Sequence, residues 1–275
     1  MLDEWRLRDL AERLIGVRGI RAVVLGGSRA RGEHTAESDV DLGLYYRAPL
    51  DVEAVGEVAR AVAGPEAQVT ATGEWGPWVD GGGWLRIDQA PVDWIYRDLA
   101  RVQRSWRDAQ DGRFSWHFQV GHPLGVPDFT YAAEAALAVV LTDPSGEFTA
   151  LQQQARQYPP RLREAVISGA LWEAGFCLDI ARKAVSRLDS AYISGCLFRA
   201  VLLCAHALYA HAGRWLANEK GAVTAAGRLP DSPASFATRA QAVCAGTGAT
   251  EEQLHATLTA AEQLLDDTAR HCRRS

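Results

Sequence analysis

The chain has 275 residues, enough for one large or two ordinary domains, and 48% hydrophobic with 23% charged residues is the mix of a folded globular protein. Its 29 Lys and Arg against 34 Asp and Glu give a net charge of −5. That balance, with no Lys/Arg block, argues against gripping duplex nucleic acid or an anionic membrane through bulk charge. Apolar stretches are too interrupted to predict a bilayer span, the best being Ser194–Gly213 with Arg199, His206 and His211 inside it. Charges at Asp3, Glu4, Arg6, Arg8 and Asp9 exclude a signal-peptide core there, so the expectation is a cytoplasmic protein. The five cysteines lack a C-x-x-C pair and fall mostly in apolar helical stretches, as buried free thiols do. Six of the nine tryptophans fall within Trp75–Trp116, where hairpin or core packing is expected to use them.

In chain order, helical spacing predicts an opening helix over Asp3–Leu14 and β-branched residues a strand over Arg21–Leu25. A Gly26-Gly27-Ser28 turn and a polar loop lead to a second strand, Asp39–Tyr46. A helix over Leu50–Ala63 closes at Gly64-Pro65. Gln68–Tyr96 reads as strand-like, with Gly81–Gly83 as the turn between two Trp-bearing arms, and Phe114–Val120 as another strand before the breaker-rich Gly121–Pro127. Beyond Asp143–Gly146 the pattern turns helical. Arg161–Ser186 and Asp189–Ala212 form a long antiparallel pair with Asp189 as N-cap, Gly221–Ser232 is loop-like, and Glu251–Cys272 is a last helix. The expected class is α+β: a mixed sheet with helices over 1–148, then a helical bundle over 149–275.

The stretch that carries chemistry is Gly26–Asp41. Two glycines and a serine after a strand let the backbone approach a phosphate and offer N–H and hydroxyl donors. Asp39 and Asp41, two apart on the next strand, direct both carboxylates to one face while Val40 and Leu42 enter the core. Paired carboxylates beside a phosphate cradle suit a hard divalent cation that also ligates a triphosphate. The spacing fits neither a Walker A loop nor a Rossmann glycine motif.

Gly-Ser, a spacer of about ten residues and Asp-x-Asp resemble the signature of the polymerase-β-like nucleotidyltransferases. The resemblance implies Mg²⁺ at Asp39, Asp41 and a third carboxylate, Asp93 in Pro91–Tyr96, with Asp88 as the competing choice. It further implies phosphate contacts from Gly27, Ser28 and Arg31, with Arg29 a solvated neighbour. A strand-rich domain followed by paired helices is similar to the kanamycin-type aminoglycoside nucleotidyltransferases. By that similarity Glu173 stands where the family's base stands, and Cys177 replaces the lysine four residues on. Burial in its apolar stretch is expected to raise the Glu173 pKa, and a salt bridge to Arg199 is the alternative role. Tyr192, Arg199 and His206, a polar stripe at seven-residue spacing, are expected to line the acceptor or to bond between helices. Lys220 is placed as a triphosphate contact from the bundle. The implied reaction moves NMP, from ATP for preference, to a hydroxyl of a small molecule such as an aminoglycoside and releases pyrophosphate. The alternative is a toxin-like enzyme that modifies tRNA or a protein. A homodimer stays open.

Overall fold

The computed structural model describes residues 2–35 and 37–273; Ala36, in the polar loop, lies outside them. The chain forms two compact units, one of Met1–Asp108, Ser115–Gln119 and Pro127–Gln157, the other of Ala109–Phe114, Val120–Val126 and Tyr158–Ser275. The main passage from one to the other follows Gln157 rather than the boundary expected at 148.

The first unit is built on a five-stranded sheet of order β3-β4-β2-β1-β7. Its strands are β1 (Ile20–Leu25), β2 (Val40–Tyr46), β3 (Gly82–Ile87), β4 (Ala90–Asp98) and β7 (Val139–Thr142). β2 and β4 run parallel, and the other neighbours are antiparallel. One sheet face, with Val23, Leu42, Leu44, Val92, Trp94 and Ile87, is the core. Helices α1 (Glu4–Ile15) and α3 (Val52–Ala63) cover it through Leu10, Leu14, Val55 and Ala59. Each helix starts on an aspartate N-cap: Asp3 accepts from the Arg6 amide and Asp51 from the Ala54 amide.

The opposite face carries Asp41, Gly43 and Tyr45 beside Asp93, Ile95 and Arg97. Helices α5 (Thr130–Leu137) and α6 (Glu147–Ala155) cover its Tyr45–Arg97 end. The Phe148 ring packs on Tyr45 at 4.4 Å, and buried Arg97 donates to both Glu134 oxygens at 2.6 and 2.9 Å. Burial pulls the Arg97 guanidinium down, but the charge of Glu134 outweighs it and holds the group above its usual range. Asp41 and Asp93, at the other end, are only half-buried.

Several elements differ from the sequence reading. Gly81–Gly83 is no turn but the entry to β3, and the hairpin reverses at Asp88-Gln89, both left-handed at φ 48° and 67°. Residues 99–110, left without an element, form α4 (Leu99–Gln110), with Leu99, Val102, Trp106 and Ala109 buried at helical spacing. The breaker-rich Gly121–Pro127 contains a strand, β6 (His122–Pro127), and β5 (Trp116–Gln119) precedes it.

The second unit is helical. Helices α7 (Pro160–Ala184) and α8 (Ser190–His211) pack along each other, with Asp189 capping α8 by accepting from the Tyr192 amide. Helix α11 (Glu251–Cys272), started by a capping box at Thr250 and Gln253, packs against both. The loop-like stretch after Gly221 holds α9 (Ala222–Ala226), and α10 (Phe236–Ala245) follows it. Among the described residues α8 is long and apolar enough to span a bilayer, contrary to the sequence expectation, yet 67% of that stretch is buried as in a core helix. The cysteines are free thiols; Cys177, Cys196 and Cys204 are buried, whereas Cys244 is exposed.

Candidate active site

The site grows from the register of the sheet. Asp41 on β2 and Asp93 on β4 are direct partners across the parallel pair, so their carboxylates share a face on strands about 4.8 Å apart. Asp39 falls one residue before β2, exposed and outside the strand that was expected to begin with it. Asp88 is placed elsewhere: it sits in the hairpin turn and takes a hydrogen bond from Arg6 at 2.8 Å.

Gly27 closes onto Asp41 from the β1 side. Its φ is +60°, and a Cβ there would come within 1.7 Å of Asp41 Oδ2. Both facts demand glycine. The Gly26 amide donates to the Asp41 carbonyl at 2.8 Å, tying the turn to β2. Gly27 to Ala30 make a single helical turn, α2, with Ser28 half-buried in it. Arg29, expected to be solvated, donates to the carbonyls of Ser38 at 2.7 Å and Asp39 at 3.1 Å, and so fixes the backbone entering β2. Arg31 pairs with Glu33 at 2.8 Å.

Two carboxylates directly opposite on neighbouring strands repel each other, which sheets ordinarily avoid. A hard divalent cation relieves that repulsion and suits an all-oxygen donor set. Among the described residues no three His, Cys, Asp or Glu side chains gather into a ready-made cage. Mg²⁺ needs none, since it is commonly held by one or two carboxylates and completes its shell with phosphate oxygens and water. The Asp41–Asp93 pair fits that pattern.

The remaining sequence-predicted residues lie in the helical unit. Glu173 on α7 accepts from Arg199 Nε, and Arg199 Nη1 donates to the Leu124 carbonyl at 3.0 Å. Glu173 is flanked by an exposed Trp172, whose ring stacks on Phe176 at 5.6 Å, rather than lying in a buried apolar stretch. Burial pushes the Cys177 thiol up to about 11, so it stays neutral where the resembling family has a cation. The Tyr192–Arg199–His206 stripe divides: Tyr192 is exposed, Arg199 is in the ion pair, and His206 is buried in the unit's core. Burial lowers the His206 pKa to about 4. Lys220 is exposed in a turn where its amide donates to Asn218.

Sequence reasoning missed the placement of Trp84. It is the register partner of Asp93, 73% exposed, and stacked on Trp75. Core packing, expected for this cluster, holds for Trp78 and Trp94. Alternation from Asp93 through the true hairpin turn is the signal that could have found Trp84.

Residues 6–100, which contain Gly27, Ser28, Asp39, Asp41 and Asp93, match the family described as Nucleotidyltransferase domain. Residues 128–220 match a domain of unknown function, DUF4037. No curated protein matches. Among solved structures the chain is similar to a nucleotidyltransferase-like protein from Exiguobacterium sibiricum, at 13% identity over 98% of this chain and 77% of that one, with a TM-score of 0.48. The match over residues 6–100 marks the chain as an enzyme carrying a nucleotidyltransferase domain.

Proposed function

We propose that the protein transfers NMP from an NTP, ATP for preference, to a hydroxyl of a small molecule, with Mg²⁺ as its cofactor. The observation that carries this reading is the Asp41–Asp93 register pair with Gly27 closed against it. Asp41 and Asp93, joined by Asp39 when substrate is bound, would hold Mg²⁺, which supplies neutralisation of charge on the attacking and leaving oxygens. The Gly27 amide and Ser28 hydroxyl bind the departing phosphates, and Arg31 exchanges its Glu33 partner for them.

In the reaction the acceptor oxygen forms a bond to the α-phosphorus, the bond from that phosphorus to the bridging oxygen breaks, and pyrophosphate leaves. The hydroxyl proton passes to a carboxylate. We assign that role to Asp93 rather than Glu173, because Glu173 already answers Arg199 in its own unit. Buried His206 belongs to the core of the helical unit.

Aminoglycosides are the acceptor class favoured by the kanamycin-type resemblance, and a net charge of −5 suits a polycationic acceptor. The test is a label-transfer screen with α-labelled NTPs and Mg²⁺ against pools of aminoglycosides, other hydroxyl compounds, tRNA and protein. Label on an aminoglycoside supports the reading. Label on tRNA or protein replaces it with the toxin-like alternative.

A further inference from the structure

On the far side of Asp93 from the phosphate turn stands a pair of indoles that the nucleotide site does not use. Trp84 on β3 partners Asp93, and Asp93 partners Asp41, so the three side chains form a row across one sheet face. Trp75 stacks on Trp84 with ring centroids 4.4 Å apart and planes 19° from parallel. With one face covered in this way Trp84 is still 73% exposed, so its other face is open. Gly82 makes the arrangement possible: a Cβ there would meet the Trp94 carbonyl at 1.8 Å and crowd the Trp75 ring at 3.1 Å. A tryptophan that served only to pack the hairpin would be buried, as Trp94 is.

Direction across the sheet gives the pair its role. The order is β3, β4, β2, β1, with the Gly27–Ser28 turn directly after β1. Phosphates cradled at that turn place the leaving pyrophosphate on the β1 side of the carboxylates. An in-line displacement brings the nucleophile from the opposite side, which is the side of Asp93 and Trp84. From this, and resting on the nucleotide-site reading above, we infer that the Trp75–Trp84 stack is the wall on which the acceptor packs, and that it selects a saturated ring bearing ammonium groups. The open indole face offers area for the C–H face of such a ring and attracts a cation held over it. Asp93 beside it and Glu74 next to Trp75 add negative charge. Arg86, the next residue of β3 on this face, donates to the Gln89 carbonyl at 2.7 Å.

The test uses the full chain with Mg²⁺ and kanamycin as probe. ATP and kanamycin KM values are measured for wild type, Trp84→Ala and Trp84→Phe, with far-UV circular dichroism to verify folding. The expected result for Trp84→Ala is a kanamycin KM raised about tenfold or more, an ATP KM within about twofold, and substantial recovery in Trp84→Phe. A Trp84→Ala enzyme with an unchanged kanamycin KM overturns the inference, as does one whose ATP KM rises instead, because the stack then holds the base. If wild type binds ATP by calorimetry but neither binds nor modifies kanamycin, the selection for an ammonium-bearing ring is overturned while the nucleotide site stands. If wild type binds no NTP at all, the underlying reading fails with it.

Discussion

Gly27 and Asp41 are fitted so closely that neither tolerates ordinary change. Gly27→Ala puts a methyl where Asp41 Oδ2 lies, in a backbone conformation at φ +60° that costs an L-residue about 1–2 kcal/mol. The variant should fold, since the core lies on the other sheet face, but with the carboxylate displaced its kcat should drop by at least about a hundredfold. Steady-state kinetics beside a thermal melt checks this, and near-normal turnover would show that Asp41's position is irrelevant to the chemistry. Glu173→Gln separates two roles in a second measurement. It removes the charge facing Arg199, so the melting temperature should fall by several degrees while kcat per folded molecule changes less than about threefold. A collapse in kcat with unchanged melting would return the base to Glu173. At this scale the sequence was legible for the glycines and for Val40 and Leu42, which enter the core as alternation requires. The Arg29 contacts were not, because nothing local distinguishes an arginine that bonds backbone carbonyls from a solvated one.

The β3–β4 hairpin sets the site's register, since it aligns Trp84 with Asp93 and thereby with Asp41. Its turn holds Asp88 and Gln89 both left-handed, the type I′ geometry for which glycine is best suited at the second position. Gln89→Gly should therefore raise the unfolding free energy by up to about 1 kcal/mol in urea titration and leave transfer unchanged, as the carbonyl that Arg86 uses remains. A loss of stability would mean that the Gln89 side chain contributes more than its backbone strain costs. Placing this turn from sequence failed for a physical reason. Gly81–Gly83 looks like the stronger breaker, yet Gly81 and Gly82 are needed because their Cβ positions are filled by Thr70, Ala71 and Trp94. Helix α4 was legible but masked: its buried residues keep helical spacing, set among arginines directly after a strand rich in aromatics.

Across the whole chain, the α+β class and the paired helices followed from a change in hydrophobic period near Asp143, which no tertiary detail overrides. What remained hidden was tertiary pairing, above all which polar residues are taken up inside the bundle. His206 is the plainest example, and it gives the molecule a pH dependence. Its folded pKa of about 4 lies below the ordinary unfolded value, so the unfolded chain takes the proton first as pH falls. Its contribution is complete above about pH 6.5 and is lost progressively toward pH 4, up to about 3 kcal/mol in all. Chemical denaturation between pH 7 and 4.5 should show that slope, flattened in His206→Gln whatever that variant's stability at neutral pH. An equal slope in the variant would assign the effect to other groups.

The central claim is that Asp41 and Asp93, brought together by the parallel β2–β4 register, form the catalytic carboxylate pair. Its most direct test is pyrophosphate release from ATP with Mg²⁺ and a responsive acceptor, measured for Asp93→Asn beside Asp88→Asn at matched folded concentration. Asp93→Asn should lose at least about a thousandfold in kcat, because both a metal ligand and the proton acceptor are removed. Asp88→Asn, which alters only an exposed turn residue paired with Arg6, should stay within about twofold of wild type. Near-normal turnover by Asp93→Asn, or a collapse confined to Asp88→Asn, would contradict the assignment.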